Sequence, residues 1–112
     1  MKEAFIVSTA RTPIGKAYRG ALNMTQGATL GGWVIKEAVQ RAGVAPEEVE
    51  DVIMGCAMQQ GTTGGNIGRQ AALAADLPVT VPGMSIDRQC SSGMMAIAMA
   101  AKQVLVDGMQ VA

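Results

Sequence analysis

Two periods of apolar residues alternate along this chain. Ala4 to Ser8 (AFIVS) is a short apolar run with branched residues and reads as a buried strand. Thr12-Pro13-Ile14-Gly15 breaks it, and Ala17 to Thr29 shows no period and reads as loop. From Leu30 to Ala42, apolar residues fall at Leu30, Trp33, Val34, Ala38, Val39 and Ala42, with Lys36, Glu37, Gln40 and Arg41 between them. That spacing predicts an amphipathic helix, stopped by Gly43. Ala45-Pro46-Glu47-Glu48 suits a short helical turn, with proline early and acids at its positive end. Val52 to Met58 predicts a second strand, and Gln60 to Gly65 a flexible link. Asn66 is placed to cap a helix through Ala75. Met84 to Arg88 predicts a third strand, Ser91 to Val106 a helix, and Met109 to Ala112 the start of a fourth strand.

Strands alternating with helices predict an α/β fold with a mostly parallel sheet, in the order βαβαβαβ. A last strand that begins at Met109 with no closing turn predicts the front of a longer protein. The helix Met94-Met95-Ala96-Ile97-Ala98-Met99-Ala100-Ala101 is apolar nearly all round, so it is expected to be a buried central helix. Its methionines read as core filler.

Composition narrows the function classes. Nine basic and nine acidic side chains cancel, which argues against a nucleic-acid partner. Hydrophobic residues make up 49% and charged ones 16%, too apolar a balance for disorder. No apolar run is long enough for a membrane span or a signal sequence. Two cysteines, Cys56 and Cys90, suit a reducing compartment, so the expected location is cytoplasmic. A disulfide between the two remains open at this point. The chain contains no histidine, the usual activating base for a cysteine nucleophile.

Cys90 stands in Ile86-Asp87-Arg88-Gln89-Cys90-Ser91-Ser92-Gly93, where the third strand feeds a helix. Main-chain N–H groups without helical partners gather at such a junction, with the positive end of the helix dipole. A thiolate there is stabilised, and the same amides can hold an oxyanion on an acyl group bound to sulfur. Ser91 and Ser92 are placed to cap the helix, and Gly93 to admit another backbone or a substrate. The thiol is expected to sit deep and partly dry. A second reading makes Cys90 an inert buried thiol, and Cys56, inside an apolar strand, takes that reading. The run Gly61-Thr62-Thr63-Gly64-Gly65-Asn66-Ile67-Gly68 has neither dinucleotide nor P-loop spacing and reads as a loop.

The segment DRQCSSGMMAIAMAAK resembles the nucleophile region of the thiolases, the acetyl-CoA acetyltransferases and 3-ketoacyl-CoA thiolases. AFIVSTARTPIGKAYRGAL, AGVAPEEVEDVIMGCAMQQG and GGNIGRQAALAADLPVTVPGMSID resemble three further thiolase segments in the same order. The resemblance implies that residues 1–112 form part of an N-terminal thiolase domain. A C-terminal thiolase domain and the loop region that holds coenzyme A would lie outside them. Cys90 matches the catalytic cysteine that accepts the acyl group, and its N–H matches one oxyanion donor. Asp87 stands where many members have Asn and is given no role, and Arg11 is read as structural. Coenzyme-A-binding residues remain unknown within this segment. The family's Gly-His-Pro base and its second cysteine, in a Cys-Gly-Gly-Gly loop, are not found here.

The implied reaction is acyl transfer through a cysteine thioester. It either condenses two acetyl-CoA to acetoacetyl-CoA or cleaves a 3-ketoacyl-CoA with CoA. Acyl-CoA thioesters are substrates, no cofactor or metal is needed, and a homodimer or homotetramer is expected. The segment alone is expected to be inactive. The alternatives are a ketoacyl-carrier-protein synthase-type condensing enzyme and a non-catalytic thiolase-like lipid-binding or scaffold protein.

Overall fold

The longest element of the computed structural model, which describes residues 2–112, is a helix, α1 (Gly27–Ala42). Gly43 ends it in the left-handed conformation (φ 70°), its N–H donating to the Gln40 carbonyl at 3.1 Å. The inward face is the expected one except at Trp33. Val39 packs on the core, joined by Ile35, and Leu30, Val34, Ala38 and Ala42 are half-buried, whereas Trp33 is 52% exposed. Close approach of a second helix, α2 (Ile67–Ala74), decides this. A Cβ at Gly31 would lie 2.7 Å from the Ala71 Cβ, and one at Gly32 2.8 Å from the Ala74 Cβ. The two glycines let the helix backbones meet, so the bulky indole is turned outward.

After α1, Pro46–Glu48 forms one 3-10 turn, with the Ala45 N–H donating to Glu48 Oε2 at 2.6 Å. Strand β1 (Val52–Gly55) follows, then α2, then strand β2 (Gly83–Ile86). The two strands pair in parallel, Val52 opposite Gly83 and Gly55 opposite Ile86. This is a βαβ unit, so the α/β class with a parallel sheet holds. The core is small: Val49, Val52, Ala72, Ala75, Leu77 and Val81, with Ile35, Val39 and Val111 against it.

Asn66 caps α2 as expected, accepting from the Arg69 N–H at 3.2 Å. The glycine-rich run before it is not the free link expected. Gln70 Nε2 donates to the Gly64 and Gly65 carbonyls at 2.8 and 2.7 Å, and Gly61–Thr63 makes a 3-10 turn. From the other side of α2, Arg69 donates to the carbonyls of Val79 and Val81, fixing the loop into β2.

Two expected strands are not formed, so the βαβαβαβ order reduces to its central βαβ unit among the described residues. Ala4 to Ser8 joins no ladder, and Phe5, Ile6 and Val7 are exposed. The segment is tied down at Ser8, whose Oγ donates to the Ala38 carbonyl at 2.6 Å, and at Thr9, whose carbonyl accepts from Arg41 Nη1 at 2.7 Å. A cavity of about 430 Å³ is bounded by Ala4–Thr9, α1, β1 and Ile97. Met109 to Ala112 forms one strand-like bond, the Glu50 N–H donating to the Val111 carbonyl at 2.9 Å.

The last helix, α3 (Ser92–Lys102), continues as a wider π turn over Gln103–Asp107 rather than as one helix to Val106. That turn brings Gln103 Nε2 within 2.7 Å of the buried Asp51 Oδ2, while Asp51 Oδ1 accepts from the Val52 N–H. The expected burial of α3 is not found. Met94 is 72% and Ile97 57% exposed. The sheet covers one side of this helix and no element of the described chain covers the other.

Candidate active site

β2 and α3 are joined by Asp87-Arg88-Gln89-Cys90-Ser91, and Cys90 lies one residue before the α3 N-cap, Ser91. The junction is beyond the carboxyl ends of the parallel strands, the edge at which α/β sheets bind ligands. Cys90 is exposed, not deep and dry as expected. Its N–H has no acceptor among the described residues, and the first-turn amides of α3 have none within the helix. Donors therefore converge beside the sulfur.

The turn is held by a dense set of local bonds. Gln89 has a positive φ of 50°, uncommon for a residue with a side chain. Asp87 Oδ1 accepts from the Gln89 N–H at 2.8 Å. Ser91 Oγ donates to the Arg88 carbonyl at 2.9 Å. Ser92 is 4% exposed; its Oγ accepts from the Arg88 N–H at 2.8 Å and donates to the Gln89 carbonyl at 2.7 Å. Neither serine side chain caps α3, contrary to expectation; both bond backward into the turn. The Ser92 N–H is taken by the Gln89 carbonyl at 3.1 Å, while the Gly93 and Met94 amides have no acceptor among the described residues.

Two contributors escaped the sequence reading. Asp87 forms an Asx turn, legible in principle from an Asp two residues before the positive-φ position. Gly55 ends β1 against α3: a Cβ there would fall on the main-chain atoms of Ser92 and Gly93. Gly93, expected to admit a neighbour, has nothing within 4 Å of a Cβ built on it, so that side of the helix tip is open.

The two thiols are separated by the strand. Both cysteines are free. Side chains alternate across a strand: Gly55 faces α3, while Met54 reaches toward Gly31 of α1. The half-buried Cys56 Sγ lies 3.5 Å from the Met58 carbonyl and 3.9 Å from that of Thr63, on the α1 side. The disulfide left open by the sequence is not formed. Arg11 makes no hydrogen bond or ion pair among the described residues, so the structural role expected of it finds no partner.

Residues 4–112 match the thiolase N-terminal domain family. The chain belongs to the thiolase family. It is 43% identical over 106 residues to the 3-ketoacyl-CoA thiolase of Bacillus subtilis, covering 95% of this chain and 27% of that protein. It is 46% identical over 105 residues to the acetyl-CoA acetyltransferase of Cupriavidus necator, covering 94% and 26%. The human mitochondrial acetyl-CoA acetyltransferase is 41% identical over 105 residues, covering 94% and 24%. This thiolase chain thus spans about a quarter of the length of those relatives. None of its helices among the described residues is long and apolar enough to cross a membrane.

Proposed function

We propose that this chain carries the nucleophile of an acyl-transferring thiolase, with Cys90 as the catalytic residue. The observation that carries the reading is an exposed thiol at a helix start, with unpaired amides beside it, in a chain of this family. The Cys90 thiolate adds to the carbonyl carbon of an acyl-CoA or 3-ketoacyl-CoA, and the carbonyl electron pair moves onto oxygen. The Cys90 N–H donates to that oxyanion. Collapse of the adduct breaks the bond to the leaving group, CoA thiolate or the acetyl-CoA carbanion, which takes up a proton. The acyl group stays on sulfur. CoA or an acetyl-CoA carbanion then attacks it, releasing the Cys90 thiolate and forming a thioester or a carbon–carbon bond.

With no histidine in these residues, the base belongs to another part of a longer polypeptide. That polypeptide includes a C-terminal thiolase domain and a coenzyme-A-binding loop region, and residues 1–112 alone are inactive. The names of the relatives, all CoA-dependent thiolases or acetyltransferases, support acyl-CoA over carrier-protein substrates. A cytoplasmic location, supported by two free thiols, and a homo-oligomeric state, supported by the resemblance alone, belong to the same proposal. Cys90→Ala in the complete polypeptide tests the assignment. Acyl transfer is expected to vanish with the fold intact, and retained turnover would refute it.

A further inference from the structure

We propose that Ser92 is a positioning residue for acyl transfer, its hydroxyl latching the turn that presents Cys90; this rests on the reading of Cys90 as nucleophile. The hydroxyl bonds main-chain groups on both sides of the peptide joining Arg88 to Gln89. It takes the Arg88 N–H at 2.8 Å and gives its proton to the Gln89 carbonyl at 2.7 Å. Between those two groups lies the Gln89 φ of 50°, a conformation a side chain disfavours. Without the latch, Gln89 keeps the Asp87 carboxylate on its N–H and the Ser92 N–H on its carbonyl but loses the tie to the Arg88 amide, so its φ is held less firmly and the following Cα–Cβ bond, that of Cys90, shifts with it. The site is built for one hydroxyl: Ser92 is 4% exposed, and the Gly55 backbone closes over the Ser92–Gly93 peptide. Ser91, by contrast, makes one bond, to the Arg88 carbonyl, and reaches neither group that Ser92 holds.

The hydroxyl touches no reacting atom in this arrangement. Its loss should therefore slow the chemical step while leaving acyl-CoA binding nearly intact. In the complete polypeptide, Ser92→Ala is expected to lower kcat by about 10- to 100-fold, the loss that a misplacement near 1 Å can cause. KM for the acyl-CoA should change less than about threefold, since uniform binding is untouched. The rate of acetyl transfer from acetyl-CoA to Cys90, followed by acid quench and peptide mass, should fall in parallel. A folded Ser92→Ala protein with unchanged kcat, or with kcat intact and KM raised, overturns the latch. If the variant fails to fold, hydrogen exchange of the Arg88 amide in the unmodified protein decides. Slowed exchange is expected from a bond to a buried hydroxyl, and exchange at the rate of a free amide overturns the proposal. Failure of the parent reading looks different: no acetyl group on Cys90 of the unmodified protein, whatever residue 92 does.

Discussion

Gly55→Ala tests how the sheet sets the thiol. A Cβ at residue 55 would fall well inside 3.0 Å of the Ser92 carbonyl carbon and oxygen and the Gly93 nitrogen, whereas ordinary contact begins at 3.4 Å. All three are main-chain atoms, so no side chain can rotate away. β1 is fixed by its pairing to β2 and by the Cys56 N–H, which donates to the Ile86 carbonyl at 2.9 Å. The start of α3 must therefore retreat, by about 1 Å in a close-packed interior. Overpacking of this kind costs about 1–3 kcal/mol. A shift of that size at the nucleophile lowers turnover by about 100-fold. Urea unfolding of the complete polypeptide and steady-state thiolysis of a 3-ketoacyl-CoA measure the two effects. A variant within about 0.5 kcal/mol of the parent, the range of an ordinary surface change, and with unaltered kcat would refute the packing argument.

Asp87→Asn keeps a carbonyl oxygen for the Gln89 N–H and should retain turnover, whereas Asp87→Ala removes the acceptor and should cost about 0.5–1.5 kcal/mol of stability, read by denaturant midpoint. Cys56→Ser should leave kcat within about twofold, because that thiol touches only the Met58 and Thr63 carbonyls, on the α1 side of the strand. Gly43→Ala should destabilise by about 1 kcal/mol through its positive φ alone and leave kinetics unaltered, as nothing lies within 4 Å of its added methyl.

Local signals carried much of the fold. The α1 stop at Gly43, the Asn66 cap, the cores of both paired strands and the thiol at the strand-to-helix junction all follow from residues within a few positions of each other. What escaped was non-local. Ala4 to Ser8 has the composition of a strand, but a ladder needs a neighbour, and none adjoins it among the described residues. Trp33 fits the apolar period of α1, yet the approach of Ala71 and Ala74 sets Gly31 and Gly32 against α2 and leaves the indole outside. The all-apolar α3 predicts burial, but burial depends on what covers it. At the site, the place of Cys90 at the strand-to-helix junction was legible from the residues on either side of it. The backward bonds of Asp87 and Ser92 were not, because capping and turn closure use the same residue types.

The account stands on an acyl group residing on one sulfur. The complete polypeptide, incubated with acetyl-CoA, quenched in acid and digested, should show a single acetyl increment on the peptide containing Cys90 and none on that containing Cys56. An unmodified Cys90 peptide under conditions of active turnover would contradict it.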